Sequence, residues 1–269
     1  ASRFADDTRR GLSSALMTTA SQPLAPHGLV RAVFTGPIRT LRSPRHAGGT
    51  TTTWKSAILK SRATGAVRVG PLGLLGDSQK EKKHHGGPTK AVLIYGAAHY
   101  DRWRHSLEHH AADHATALRA MSGDVDASVY GYGAFGENLT IDGLVEQSVC
   151  LGDTWQIGEC VLQITEPRGP CATLTRRWMR PELLAEVKTT AAAGWYNAVR
   201  VEGTVQDGDR ATLIERIQTE WTLERVFHLL EGRAASRAEV QRLHDADCTH
   251  DGLRARLARR LLTPFRITG

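Results

Sequence analysis

Long apolar runs are missing from this chain. The longest, residues 91–95, stops at Gly96, far short of the roughly 20 apolar residues a membrane helix needs. The sequence therefore reads as soluble, with no membrane partner. Cysteine is scarce too: four residues, Cys150, Cys160, Cys171 and Cys248, without a Cys-x-x-Cys pair or zinc-knuckle spacing. That excludes a disulfide scaffold and a structural zinc site, and it points to reduced thiols in a cytoplasmic protein. Aromatic residues make up 6% of the chain and form no basic, aromatic-rich stripe, so nucleic acid is not the expected partner. Acidic residues are in deficit, 28 against 35 Lys and Arg, for a net charge of +7. Such an excess suits an anionic ligand such as a phosphorylated cofactor. No flavin, iron–sulfur or haem motif accompanies it.

What is present is a pattern of short alternating segments. Residues 30–34, 56–60, 66–69, 161–165, 195–201 and 211–215 each read as a strand bounded by glycine or proline. A helix is expected over 98–110, with Tyr100, Trp103 and Leu107 on one face, and another over about 181–189. Many short strands with a few helices predict a mainly β fold with α additions, closed into an irregular barrel that hides its edges. The last stretch changes to helical spacing. Thr222 caps a helix to Leu230 with Gly232 beyond it, Ser236 and Glu239 form a capping box, and Leu253, Leu257 and Leu261 line a third helix. The expected organisation is a disordered leader over 1–28, a barrel domain over 29–218 and a small three-helix domain over 219–269. Within the leader, Met17 opens a plausible true start.

Chemistry gathers in a few loops. In Glu166-Pro167-Arg168-Gly169-Pro170-Cys171 two prolines stiffen the chain before a cysteine that has a guanidinium nearby. Positive charge favours the thiolate, the form that ligates a soft metal or reacts. The other cysteines sit in apolar or polar settings that ask for no special role. Gly73-Leu-Leu-Gly76-Asp77 is a glycine-flanked turn ending in a carboxylate. His85-Gly-Gly-Pro-Thr-Lys90 sets a His and a Lys on either side of a tight turn, and Phe135-Gly-Glu-Asn138 adds an amide. Together they offer donors for a phosphate, cationic charge and one soft ligand. His84 and the Lys80, Lys82, Lys83 run read as a solvated basic face. Gly194-Trp195-Tyr196 reads equally as packing or as a wall of a pocket.

In this order the motifs resemble the YiiM-type branch of the MOSC domain family, which binds the molybdenum cofactor. The likeness runs from Val33-Phe-Thr-Gly36 through Ser56-Ala-Ile-Leu-Lys60, Gly73-Leu-x-Gly-Asp-x-Gln79, His85-Gly-Gly-Pro-x-Lys90, Phe135-Gly-Glu-Asn-Leu139, Gly152-Asp153 and Pro167-Arg-x-Pro-Cys171 to Gly194-Trp195 and the closing helices. The resemblance implies a MOSC-type barrel holding molybdopterin, with Cys171 completing the molybdenum coordination. It further implies reduction of N-hydroxylated compounds, such as 6-hydroxylaminopurine and amidoximes, by a monomer or homodimer served by a separate electron-donating reductase. On that footing Cys171, Lys60 and Asn138 are the catalytic candidates. Asp77, His85, Lys90, Asn138, Arg168 and Cys171 are the candidates for cofactor binding. A molybdenum cofactor or sulfur carrier is the alternative, and a non-catalytic interaction protein a third class. Three places depart from the family pattern: Ala172-Thr173-Leu174 after the cysteine, Asn197-Ala198 after Tyr196, and a polar insertion over 43–53 expected as a mobile loop.

Overall fold

The computed structural model describes residues 27–43, 52–107, 131–232 and 236–265. The expected leader, apart from its last residues, the 44–51 part of the insertion and the end of the helix expected beyond residue 107 lie outside them.

Alternation sets the first strand, β1 (His27–Thr35). Val30, Ala32 and Phe34 are buried while Arg31 is exposed, and a bulge between Val30 and Ala32 brings Val33 inward as well. A hairpin follows, β2 (Arg39–Ser43) with β3 (Thr52–Ser56), and then the short strands β4 (Ser61–Arg62), β5 (Val67–Gly70) and β6 (Gly73–Leu74). One turn of helix, α1 (Lys82–His85), and a 3-10 turn over Pro88–Lys90 lead into β7 (Val92–Gly96). After α2 (His99–Leu107) come β8 (Leu139–Asp142), β9 (Thr154–Ile157) and β10 (Cys160–Pro167). Two helices, α3 (Ala172–Trp178) and α4 (Leu183–Thr190), precede β11 (Trp195–Val201), β12 (Gly203–Val205) and β13 (Arg210–Glu215). The chain then runs through α5 (Leu223–Leu230), α6 (Arg237–Asp245) and α7 (Asp251–Leu261).

Seven of these strands close a ring in the order β13-β9-β10-β11-β7-β8-β1, with β1 returning to β13 through His27↔Thr212 and Leu29↔Arg210. All neighbours in the ring are antiparallel except β7 and β8, which run parallel. Closure leaves no exposed strand edge in the ring, which is how a mainly β chain avoids pairing with another.

The run at 91–95 proves to be a strand covered on both faces. Val92 and Ile94 face the barrel core, whereas Tyr95 stacks on Phe135 in a second apolar layer with Tyr100, Trp103 and Trp178. A strand with two apolar faces shows no alternation, hence its unbroken hydrophobic pattern. The barrel core also continues into the closing helices through Val226, Val240, Leu253 and Leu257. Each of those fully buried side chains contributes about 1.5–3 kcal/mol. Thr222 accepts from Arg225 N and Ser236 from Glu239 N, as the helix starts predict. The capping box is only half made, because the Glu239 carboxylate bonds Arg225 at 2.5 Å. No helix among the described residues is long and apolar enough to cross a membrane.

One expected strand is absent. Ser56 ends β3, and residues 57–59 continue as a buried irregular segment. Its backbone is satisfied by side chains instead of a ladder: Arg177 Nη1 donates to the Ile58 carbonyl at 3.0 Å and Ser56 Oγ accepts from Ile58 N at 3.1 Å. An apolar run can be buried without being a strand when side chains take over its hydrogen bonds.

Candidate functional site

Cys171 stands at the junction of β10 and α3, where it is the N-cap residue with extended backbone, φ −127° and ψ 124°. Sequence reading missed α3. Its buried face holds the surroundings together: Arg177 Nη1 also donates to Gly133 O at 3.0 Å, and Trp178 Nε1 to Ala134 O at 3.2 Å. The helix that starts at the cysteine therefore clamps the loop leading to β8 and the 57–59 segment around it.

A cavity of about 240 Å3 opens over the sulfur. Among the described residues, Lys55, Lys60, Lys80, Lys90, Arg168 and Arg176 line it against two carboxylates, Asp77 and Glu81. His85, Leu93, Phe135, Asn138 and Tyr196 complete the inner wall. All the candidate residues, Lys60, Asp77, His85, Lys90, Asn138, Arg168 and Cys171, meet here, although they come from five separate stretches of chain.

Asp77 organises the floor. One carboxylate oxygen accepts from Gly36 N at 3.0 Å and pairs with Lys60 Nζ; the other accepts from Asn138 Nδ2 at 2.9 Å. The Lys60 and Asp77 side chains are 5% and 1% exposed, so this is a buried ion pair at the cavity edge. Burial lowers the Lys60 pKa, with Asp77 opposing it. Asn138 Oδ1 accepts from Leu93 N at 3.0 Å, and its amide also donates to Phe34 O at 3.3 Å. Both ends of that amide are thus engaged by the fold: Asn138 ties β7 and β1 to Asp77. The neighbouring Glu137, fully buried, accepts from Gly133 N, Phe135 N, Tyr100 Oη and Thr140 Oγ1. Gly136, just before them, has φ +77°, and a Cβ there would lie 2.9 Å from Ile58 Cγ1. Only glycine allows both that backbone and that approach.

Around the sulfur the chemistry is cationic. His85 Nε2 lies 3.7 Å from Cys171 Sγ, and His85 Nδ1 lies 2.8 Å from Tyr196 Oη. Arg168 is buried, donates from Nη1 to Phe135 O at 2.9 Å, and leaves Nε without a hydrogen-bond partner among the described residues. Burial alone would raise the thiol, but the His85 hydrogen bond, the Arg168 charge and the Thr173 side chain bring Cys171 down to about 6. Burial pushes Tyr196 up to about 12, so its phenol keeps its proton. Lys90 reaches the cavity from the 3-10 turn, 5.5 Å from the Tyr196 ring centroid. Tyr196 is therefore both packing and wall. Sequence reading left it between the two.

A reactivity difference follows. In cofactor-free protein, the iodoacetamide rate at Cys171 should be near its plateau at neutral pH and fall tenfold per unit once pH drops below about 6. Cys160, which burial raises to about 11, should stay unmodified over the same range. Mass-spectrometric mapping of the alkylated peptides reads this directly. Equal labelling of both cysteines at neutral pH would refute it.

The family model of the MOSC domain matches residues 81–212. Protein YiiM of Escherichia coli (strain K12) is 33% identical over 162 residues, 60% of this chain and 65% of YiiM. A protein named reductase from Gibberella moniliformis is 32% identical over 182 residues, 67% of this chain and 29% of that protein. The chain thus matches less than two thirds of the length of these curated relatives. In fold, the crystal structure of YiiM from Geobacillus stearothermophilus superposes with a TM-score of 0.63 at 24% identity, covering 87% of this chain and 99% of that one. The matched stretch carries His85, Lys90, Arg168 and Cys171 at one cavity, and residues 81–212 are a MOSC domain.

Proposed function

We propose that the cavity holds a molybdopterin-type cofactor through Cys171 and that the protein uses it to reduce N-hydroxylated compounds. The observation that carries this reading is a thiol held towards its anion by His85 and Arg168, at a cavity lined by six Lys and Arg side chains.

The donor set fits such a group. Among the described residues no cluster of three His, Cys, Asp or Glu could hold a metal ion. A metal at Cys171 therefore needs its remaining ligands from the molecule that carries it, which a pterin dithiolene provides. The cationic wall and the partnerless Arg168 Nε suit a phosphorylated ligand. When bound, the cofactor supplies two-electron redox chemistry, which no side chain here can provide. Conversion of R–NHOH to R–NH2 and water takes two electrons and two protons. His85, 3.7 Å from the sulfur and backed by protonated Tyr196, would hold and pass a proton beside Cys171. Lys60, lowered by burial, is the second proton source on the wall. Asp77 and Asn138 position Lys60, and Lys90 and Arg168 bind anionic groups. The electrons come from a separate reductase. The fungal relative's name, reductase, supports the same class of activity.

The test is to supply cofactor-loaded protein with a chemical reductant and benzamidoxime or 6-hydroxylaminopurine, and to follow the amino product. Turnover supports the reductase. Full cofactor occupancy with no reduction of either compound, and transfer of pterin or sulfur to an acceptor enzyme, would favour the carrier instead.

A further inference from the structure

Tyr196 is held against the His85 turn by more than its ring. It sits on β11 opposite Leu93 of β7, and both residues line the cavity. Asn197 O accepts from Ala91 N at 3.0 Å, just past the turn. Thr165 Oγ1, on β10, lies 2.6 Å from Thr89 O and 3.0 Å from Tyr196 O. The strand that carries the phenol and the turn that carries the imidazole are thereby tied together. Between them, Tyr196 Oη and His85 Nδ1 meet at 2.8 Å.

A hydrogen bond between a phenol and an imidazole nitrogen can run in either direction. Its direction fixes where the neutral ring carries its proton. Tyr196 is 4% exposed, so its hydroxyl proton needs an acceptor within the protein. Among the described residues, His85 Nδ1 is the one hydrogen-bond partner of that hydroxyl. Burial keeps the phenol protonated. Were Nδ1 the donor, the Tyr196 proton would be stranded in a buried site. The opposite edge of the ring agrees. Among the described residues, Nε2 has Cys171 Sγ, 3.7 Å away, as its one hydrogen-bond partner. A sulfur that ligates a metal carries no proton and can only accept. Both contacts are satisfied together when Nδ1 accepts and Nε2 donates.

We propose that Tyr196 is a positioning residue: its phenol donates to His85 Nδ1 and holds the neutral imidazole in the tautomer that carries its proton on Nε2, facing Cys171. The proton that His85 holds then stands on the sulfur side of the ring, and the sulfur receives a donated N–H. What this does for a metal-bound sulfur rests on the cofactor reading above, whereas the tautomer can be read without any cofactor.

The test is nitrogen NMR of cofactor-free protein, isotope-labelled at the histidine rings, for wild type, Tyr196→Phe and His85→Gln. The last variant assigns the His85 signals among the 12 histidines. Spectra are taken upward in pH until the ring shifts stop moving, so that the neutral form is read. Wild type should show a pyridine-like Nδ1 and a pyrrole-like Nε2 for His85. Tyr196→Phe keeps the ring and removes the donor, so both nitrogens should move towards the average of the two tautomers. One neutral hydrogen bond biases that equilibrium about fivefold. A melting temperature near wild type shows that the variant keeps its packing. A role for Tyr196 in packing alone predicts the same His85 shifts in both proteins, and that result would overturn the proposal. So would a pyrrole-like Nδ1 in wild type, which decides the matter even if Tyr196→Phe fails to fold. If the Nε2–H tautomer is found while cofactor-loaded wild type reduces neither benzamidoxime nor 6-hydroxylaminopurine, the role of Tyr196 stands and the reductase reading fails.

Discussion

Cys171→Ser should lose bound molybdenum and N-hydroxyl reduction together, with turnover at the uncatalysed background and the fold retained. A serine hydroxyl is a hard donor and stays protonated where the Cys171 thiol, near 6, is ionised. Losing an outer-shell partner of a metal ligand typically costs about 10–100-fold in affinity, and losing the ligand itself should cost more. Stability should shift by less than about 1 kcal/mol, since the sulfur's contacts to His85 and Thr173 are side-chain contacts that a hydroxyl can largely replace. Cys150→Ser and Cys160→Ala control for thiol loss in general, because both sit in the core away from the cavity lining. Metal analysis and the amidoxime assay on the same preparations decide the matter. A Cys171→Ser protein that keeps both molybdenum and turnover would sink the central assignment.

Asp77→Ala should cost stability on a scale unlike that of any other cavity residue, about 3–5 kcal/mol, because it strands the Lys60 ammonium in a buried site. The same substitution removes acceptors for Gly36 N and Asn138 Nδ2. Its effect should therefore reach β1 and β7 as well as the cavity edge. Lys60→Met/Asp77→Ala should be milder than Asp77→Ala alone, since no uncompensated charge remains. Urea unfolding of wild type, Lys60→Met, Asp77→Ala and the double variant gives the cycle. Additive costs would mean that Lys60 and Asp77 do not depend on each other.

The barrel was legible because its strands are short, apolar-rich and flanked by glycine or proline, as in residues 195–201, which follow Gly194 and become β11 without change. Where backbone partners are side chains from far away, the pattern misleads. The apolar 57–59 segment looks like a strand, yet its Ile58 carbonyl is satisfied by Arg177, 119 positions later. Helix α3 escaped notice for a local reason. Its N-cap, Cys171, makes no side-chain cap bond, so the Ser, Thr, Asp or Asn signal that marks a helix start is missing. The candidate residues around Cys171, Lys60 apart, were readable as motifs because each lies in or beside a glycine turn with a distinctive order. Their division of labour was not, since Asn138 looks like any polar loop residue until its amide is seen joining Leu93, Phe34 and Asp77. The partnership of Glu166 with Arg256 spans 90 positions, and nothing local to either residue announces it.

The pairing of β1 with β13 has a consequence for how the protein is made. As the chain leaves the ribosome, β1 can take β8 on one side, but its other edge stays bare until Arg210–Thr212 has been synthesised. Contacts this distant in sequence are slow to form, and a bare apolar edge invites pairing with other chains in the interval. The cavity draws its walls from residues 54 through 196, so a nascent chain offers no ligand anything to hold. A cofactor of the proposed kind would therefore be loaded only after Tyr196 has been made, and a chain that stalls before the ring closes is exposed to aggregation and proteolysis.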